Sequence, residues 1–208
     1  MSAVTNWNQY HRRINIRQLT AEFVWKAYSD LLNGIRFEEP IKIIELGCGT
    51  GYNTFKIIQL FQTEKVTLVD ANPNMLELTK KTLSPLNCEK EFLLQDLFSL
   101  DLSEKYHIVH SQGLLEHFTI EQKRTLIRLH EELLAPGGIV VIMVPTPSMV
   151  YRYKRRILEL LHLWIYHDET AIPKEELRAE LERAGLDILK LKQYHFTEIG
   201  AICQRKRS

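Results

Sequence analysis

The segment Glu45-Leu46-Gly47-Cys48-Gly49-Thr50-Gly51 is the part of this 208-residue sequence best suited to hold a ligand. Its three glycines alternate with other residues, so the backbone can turn sharply and a ligand can approach without meeting a Cβ atom. An apolar run over 41–46 leads into the glycines, and apolar residues at helical spacing follow from Phe55. Strand, glycine turn and helix, in that order, are typical of nucleotide sites in open α/β sheets.

The spacing of the glycines distinguishes between nucleotide classes. A dinucleotide fingerprint needs a third glycine three residues after the second, and Tyr52 stands at that position. The pattern E-x-G-x-G-x-G instead resembles motif I of the class I S-adenosylmethionine-dependent methyltransferases. The resemblance implies that this turn wraps the methionine part of S-adenosylmethionine, with five contributing residues: Glu45, Gly47, Cys48, Gly49 and Gly51. A glycine turn that merely connects strand to helix is the alternative.

An acidic residue follows the next apolar run, in Val69-Asp70-Ala71. A carboxylate there can accept hydrogen bonds from both ribose hydroxyls. The resemblance assigns this role to Asp70 and adds Ala71 and Met75 to the adenosine side of the site. Asp70 could instead cap the following helix, although Asn72 can do so unaided, and Met75 could be an ordinary core residue.

Two further strand ends complete the cofactor site that the resemblance implies. Asp96 would accept from the adenine amino group and Leu97 would offer its backbone N–H, whereas an exposed turn aspartate is the alternative for Asp96. Ser111 and Gln112 would line the methionine moiety. No metal site is predicted.

Methyl transfer from a sulfonium needs a base only when the acceptor carries a proton. His110, at the end of the fourth strand, is the predicted catalytic residue, although a one-residue slip would turn it away from the ligand. His11, His117 and His167 are further candidates, with Tyr10 and Tyr166 as orienting groups. Glu116 and His117 are interpreted as shaping the site or capping the next helix.

Alternating strand and helix patterns predict an α/β fold, a doubly wound, mostly parallel sheet. The resemblance implies seven strands with the last reversed, in a single domain over 1–208, and substrate caps in 1–35 and 146–172. Strands are predicted at 41–46, 65–70, 90–95, 106–111, 138–144, 186–193 and 195–203, and helices at 16–34, 52–62, 74–83, 119–134 and 173–184. The basic, aromatic stretch 151–166 is interpreted as a lid helix or a packing helix, and contact with a membrane is less favoured.

The composition constrains partners and compartment. A net charge of +1 argues against nucleic acid and anionic membranes. Three cysteines without a CxxC pair suit a reducing cytosol, and the amino terminus lacks a signal-peptide layout, so we expect a cytoplasmic protein. The predicted function is transfer of a methyl group from S-adenosylmethionine to a small molecule. Binding without catalysis, or methylation of a protein or nucleic acid, are the alternatives.

Overall fold

The structure is a computed structural model that describes Thr5, Trp7 and residues 14–206. Helices and strands alternate through most of that range. The helices are α1 (Ile14–Leu32), α2 (Tyr52–Ile58), α3 (Pro73–Leu83), α4 (Ile120–Glu132), α5 (Met149–Leu160) and α6 (Lys174–Arg183). The strands are β1 (Ile41–Leu46), β2 (Thr63–Asp70), β3 (Glu89–Leu94), β4 (Tyr106–Gln112), β5 (Leu134–Pro145), β6 (Leu186–Tyr194) and β7 (Glu198–Arg205).

The strands form one seven-stranded sheet in the order β3-β2-β1-β4-β5-β7-β6. Pairing is parallel from β3 through β5, while β7 is antiparallel to both of its neighbours. The predicted α/β sheet with its single reversed last strand is therefore confirmed. Since the order reverses direction at β1 and β4, the carboxyl ends of these two strands form the crevice in which such sheets bind ligands.

The two faces of the sheet carry separate hydrophobic cores. Successive strand residues point to opposite faces. Ile43 accordingly packs with α1, α2 and α3, whereas Ile44 packs with α4 and α6. Both residues are fully buried, as the continuous apolar runs of a doubly covered parallel sheet require.

Three predicted boundaries are wrong, two of them for identifiable reasons. The segment around Pro136, read as a helix stop followed by a strand from 138, belongs to β5, which begins at Leu134 and pairs there with Tyr106. A register irregularity between Tyr106 and Ile108 accommodates this segment. The hairpin strand predicted from 195 begins at Glu198, because left-handed turn residues precede it. The helix predicted over 52–62 ends at Ile58.

Helix α5 begins four residues after β5, where the Ser148 hydroxyl accepts from the backbone N–H of Tyr151 at 3.1 Å. Tyr151 is buried, but most of the helix is exposed, so the packing-helix interpretation is not what the structure shows. Exposed apolar side chains in and just after it include Met149, Tyr153, Ile157, Leu160 and Leu161. Within the described range, no helix has the length and apolar content needed to cross a bilayer.

Candidate active site

The glycine turn follows β1 and is held by backbone hydrogen bonds. The N–H groups of Gly47 and Cys48 both donate to the carbonyl of Val69, at 2.9 and 3.0 Å, and Gly51 donates to Cys48 at 2.8 Å. All three glycines have left-handed φ angles, of 69°, 53° and 68°. Only glycine adopts this conformation without strain, which explains three of them within five residues.

The glycines differ in what surrounds them. A Cβ at Gly47 would lie 2.9 Å from the Leu114 side chain, and one at Gly51 would lie 2.7 Å from side chains of α3. A Cβ at Gly49 would meet no atom within 4 Å. Gly47 and Gly51 are therefore small because the protein packs against them, whereas Gly49 borders open space that a ligand can enter.

Asp70 ties this turn to the end of β2. One carboxylate oxygen accepts the Gly49 N–H at 2.9 Å and the other accepts the Asn72 N–H at 2.8 Å. Asn72 caps α3 by accepting from Asn74 at 2.9 Å, so helix capping does not account for Asp70. Each oxygen of a carboxylate has two lone pairs, so Asp70 keeps acceptor capacity for hydroxyl groups.

Cys48 and Thr79 stabilise the turn from the interior of the protein. The Thr79 hydroxyl donates to the Gly49 carbonyl at 2.7 Å and lies 3.5 Å from the Cys48 sulfur. Cys48 is only 4% exposed, and burial raises the pKa of its thiol well above the ordinary value. Only the backbone of Cys48 is therefore placed to meet a ligand.

Glu45 lies at the centre of a buried polar cluster. It is 3% exposed, and its Oε2 accepts the Thr54 hydroxyl of α2 at 2.6 Å. Burial raises the pKa of Glu45 to about 8, with a smaller contribution from Asp70. Glu45 and His110 are register partners on β1 and β4 and face the same side of the sheet.

His110 is fully buried in that cluster. Its Nε2 lies 3.0 Å from the Thr54 hydroxyl and its Nδ1 lies 3.5 Å from the Tyr28 hydroxyl of α1. Burial, followed by the influence of His130, lowers the pKa of His110 to about 3. Because the side chain is fully enclosed and its lowered pKa makes it a weak base, the structure gives no support to the predicted role of His110 as general base and indicates a buried structural role.

Ser111 and Gln112 point to opposite faces because they are consecutive on β4. The Ser111 hydroxyl lies 2.9 Å from Nε2 of His130, beneath α4, so its side chain does not line the crevice. Its carbonyl accepts from the Tyr28 hydroxyl at 3.1 Å. Gln112 lies on the side of Glu45, where its Oε1 accepts from the amide of Asn53 at 3.3 Å.

The remaining predicted residues lie along the ends of β2 and β3. Ala71 and Asp96 are exposed, and Leu97 is half-buried. Asp96 caps the short 3-10 helix Leu97–Ser99, accepting from the Phe98 N–H at 3.0 Å. Met75 is 2% exposed, as expected for a core residue.

A second polar cluster, which the sequence analysis did not identify, lies beyond the carboxyl end of β4. Glu116 and His117 belong to the 3-10 helix Leu115–His117, and Glu169 comes from the segment after α5. Ligand atoms of these three side chains lie within 4.8 Å of one another. Burial, reinforced by Glu169, raises the pKa of Glu116 well above its usual range. Glu198 at the start of β7 lies nearby, and burial and then Glu169 raise its pKa to about 8.

The two predicted cap segments meet at this cluster. The backbone N–H of Thr5 donates to Asp168 at 3.2 Å, and Trp7 packs edge-on against His117 with ring centroids 4.9 Å apart. Thr170 donates its N–H to the Glu116 carbonyl at 2.8 Å. Of the other base candidates, His167 is exposed, while Tyr10 and His11 lie outside the described residues.

Two comparisons of sequence bear on this arrangement. Residues 43–138 match the family model of a methyltransferase domain. Malonyl-[acyl-carrier protein] O-methyltransferase 1 of Ilyobacter polytropus is 31% identical over 161 residues, which cover 77% of this chain and 58% of that protein. The corresponding protein of Priestia megaterium is 28% identical over 104 residues, covering 50% of this chain and 37% of that one. The chain thus spans between about a third and three fifths of these relatives.

Comparison with solved structures finds the same fold in known methyltransferases. Magnesium protoporphyrin IX methyltransferase from Synechocystis PCC 6803, solved with bound SAH, superposes with a TM-score of 0.70 at 16% identity, covering 99% of this chain and 90% of that one. The sheet with one reversed strand, together with the glycine turn after β1, defines the class I methyltransferase fold. The match to a methyltransferase-domain model and the methyltransferase fold confirm the resemblance of this chain to the class I S-adenosylmethionine-dependent methyltransferases.

Proposed function

We propose that this protein binds S-adenosylmethionine in the crevice beside β1 and transfers its methyl group to a small-molecule acceptor. The observation that carries the proposal is the link between Asp70 and the glycine turn. Gly49 donates to the Asp70 carboxylate at 2.9 Å and borders open space, so a ligand against the turn also reaches the carboxylate.

The cofactor extends along the carboxyl ends of three strands in this proposal. The turn at 47–51 and the Asn53–Gln112 pair face the methionine end, and Asp70 accepts from the ribose hydroxyls. The exposed carboxylate of Asp96 and the backbone of Leu97 meet the adenine. Glu45 contributes indirectly, because its carboxyl group is buried and stabilises α2 and β4 rather than contacting solvent.

The chemistry is an in-line displacement at a sulfonium methyl group. The acceptor atom forms a bond to the methyl carbon while the carbon–sulfur bond breaks, and S-adenosylhomocysteine leaves with the electron pair. Because the donor arrives activated, the protein contributes mainly proximity, alignment and exclusion of water. Residues 1–35 and 146–172 act as caps within a single domain, and the contacts of Thr5 with Asp168 and of Trp7 with Tyr166 support this role.

The side chains on the acceptor side of the proposed site indicate which charge the acceptor can carry. Glu116, Glu169 and Glu198 come together there, and burial raises the pKa of each of them, so this part of the site disfavours negative charge. The relatives named above are methyltransferases of a malonyl group on a carrier protein. The carboxylate cluster favours a neutral or cationic small molecule for this chain.

Isothermal titration of S-adenosylhomocysteine into the purified chain tests the proposal. Asp70→Ala removes both ribose acceptors and one anchor of the turn, so we expect the affinity to fall by about 10- to 100-fold. Asp187→Ala, at an exposed position of β6, is the control and should bind as wild type. Circular dichroism verifies that both variants are folded. Absence of binding heat with folded wild-type protein refutes the proposal.

Two alternatives are separated by further assays. Tight S-adenosylhomocysteine binding without methyl transfer to any compound of an amine, hydroxyl and carboxylate panel would indicate a binding protein without catalysis. A salt-sensitive electrophoretic shift with RNA or DNA would indicate a nucleic-acid substrate, which the net charge of +1 disfavours.

A further inference from the structure

The carboxyl end of β4 carries a set of side chains that the methyl-donor site does not use. Glu116 and His117 follow β4 on its short 3-10 helix, and Glu169 reaches the same place from the end of the cap. One ligand atom from each of the three lies within 4.8 Å of the others. This spacing allows all three atoms to contact a single ion.

The Glu116 carboxylate is the strongest sign of a missing partner. The residue is 2% exposed, and its buried Oε2 has no hydrogen-bond partner among the residues that the structure describes. Buried polar atoms are almost always satisfied, and an unsatisfied carboxylate oxygen is among the most costly to leave so. Within the described part of the chain, this buried acceptor therefore lacks a partner, and a bound cation could supply one.

The cationic side chains near the two glutamates influence them only from a distance: burial raises the pKa of both, and this rise is reduced by Arg155 and Lys154 at Glu169 and by Lys123 at Glu116. Among the described residues, neither Glu116 nor Glu169 forms an ion pair with a lysine or arginine. Arg155 comes nearest to Glu169 but donates to its backbone carbonyl at 2.8 Å. Two buried carboxyl groups that no lysine or arginine pairs with directly have oxygen atoms available to bind a cation.

The supporting contacts are those of a metal-binding histidine. Nδ1 of His117 lies 2.7 Å from a carboxylate oxygen of Asp168, which accepts its hydrogen and leaves the lone pair on Nε2. Thr5 holds Asp168 in turn, at 3.2 Å from its backbone N–H. Glu169 is fixed similarly, because its Oε1 accepts the Tyr151 hydroxyl at 2.5 Å. Outer contacts of this kind orient metal ligands and set the histidine tautomer.

We propose that Glu116, His117 and Glu169 bind one divalent transition-metal ion, of the class represented by Zn²⁺. One imidazole and two carboxylates suit such an ion, whereas Mg²⁺ and Ca²⁺ prefer oxygen ligands alone. Three protein ligands leave a coordination position open, as in catalytic rather than structural zinc sites. The position of the ion beside the crevice is suited to holding an acceptor oxygen. The ion site itself is independent of the proposed methyl transfer, and only this use of it rests on that function.

Zn²⁺ titration of the 208-residue chain tests the ion site directly. After removal of metal with EDTA and dialysis, isothermal titration should show one tight site per chain. Glu116→Gln and Glu169→Gln keep the size of the side chain but remove its charge, so each should weaken Zn²⁺ binding at least 10-fold. Glu121→Gln, at an exposed position in the first turn of α4, is the matched control and should bind as wild type.

The outcome is separable from the test of the methyl donor. S-adenosylhomocysteine affinity should be the same in Glu116→Gln and wild type, which also shows that the variant is folded. If wild type binds no stoichiometric Zn²⁺, or if all three variants bind it equally, the ion site is refuted while the methyl-donor proposal stands. If wild type binds an amine instead of Zn²⁺, and Glu116→Gln abolishes amine binding, the metal site is also refuted. The cluster would then be a site for an ammonium group.

Discussion

Removing the charge of Glu45 should change how the stability of this protein depends on pH. The side chain is 3% exposed, and burial raises its pKa to about 8, while the Thr54 hydroxyl donates to it at 2.6 Å. Glu45→Gln retains an oxygen that can accept this hydrogen bond but cannot ionise. The variant therefore isolates the cost of charging a buried carboxyl group.

The size of the effect follows from proton linkage. In the unfolded chain the carboxyl group has its ordinary pKa of about 4.5, and in the folded protein its pKa is about 8. Between these values the folded state binds more protons, so the free energy of unfolding falls as the pH rises. The slope is about 1.4 kcal/mol per pH unit, which gives a loss of about 5 kcal/mol at most across the interval. The contribution of Glu45 is complete below pH 4.5 and is lost as the pH passes 8.

Urea unfolding followed by circular dichroism, at intervals between pH 5 and pH 8.5, measures this loss. Wild type should lose stability relative to Glu45→Gln as the pH rises, because only wild type must ionise the buried group. Glu64→Gln, whose side chain is 57% exposed, should follow wild type throughout. Burial also lowers the pKa of His110 and His130, to about 3 and 4, but both histidines are present in every variant, and subtraction removes their shared contribution. Parallel curves for wild type and Glu45→Gln would refute the reasoning.

Three smaller changes test other parts of the site. Gly51→Ala places a Cβ 2.7 Å from side chains of α3 and should lower the free energy of unfolding by about 2–3 kcal/mol. Gly34→Ala meets nothing within 4 Å and should lower it by about 1 kcal/mol, because both glycines have a positive φ. Urea unfolding compares the two variants. Tyr28→Phe removes the hydrogen bond to the Ser111 carbonyl and should cost about 1 kcal/mol in the same assay. Ser111→Ala should leave S-adenosylhomocysteine affinity unchanged in calorimetry, because its hydroxyl faces His130 on the opposite side of the sheet.

Each of these expectations has a result that would contradict it. Equal destabilisation by Gly51→Ala and Gly34→Ala would mean that the side chains around Gly51 move aside without an energetic cost. Tyr153→Phe, on the exposed face of α5, is the control for Tyr28→Phe, and equal stability of the two variants would remove the energetic role of the Tyr28 hydroxyl. A 10-fold loss of affinity in Ser111→Ala would restore its side chain to the methyl-donor site.

The amino-acid sequence by itself determined the donor side of this protein. Its signals are local: Glu45, three glycines and an acid at position 70 lie at the ends of consecutive strands, and the carboxyl ends of parallel strands meet at one edge. The reversed last strand followed from the family resemblance in the same way. The strand boundaries near Pro136 and residue 195 were less predictable, because a register irregularity and left-handed turn residues decide them.

Tertiary structure alone decided which side chains meet across the sheet. Whether His110 faces a ligand or the interior depends on the strand register and on Thr54 and Tyr28, which come from two different helices. The Glu116–Glu169 cluster joins residues 53 positions apart through the return of a cap segment, and no spacing within the sequence announces it. Local spacing encodes the glycine turn, whereas burial, register and long-range contacts determine which charged groups share a site.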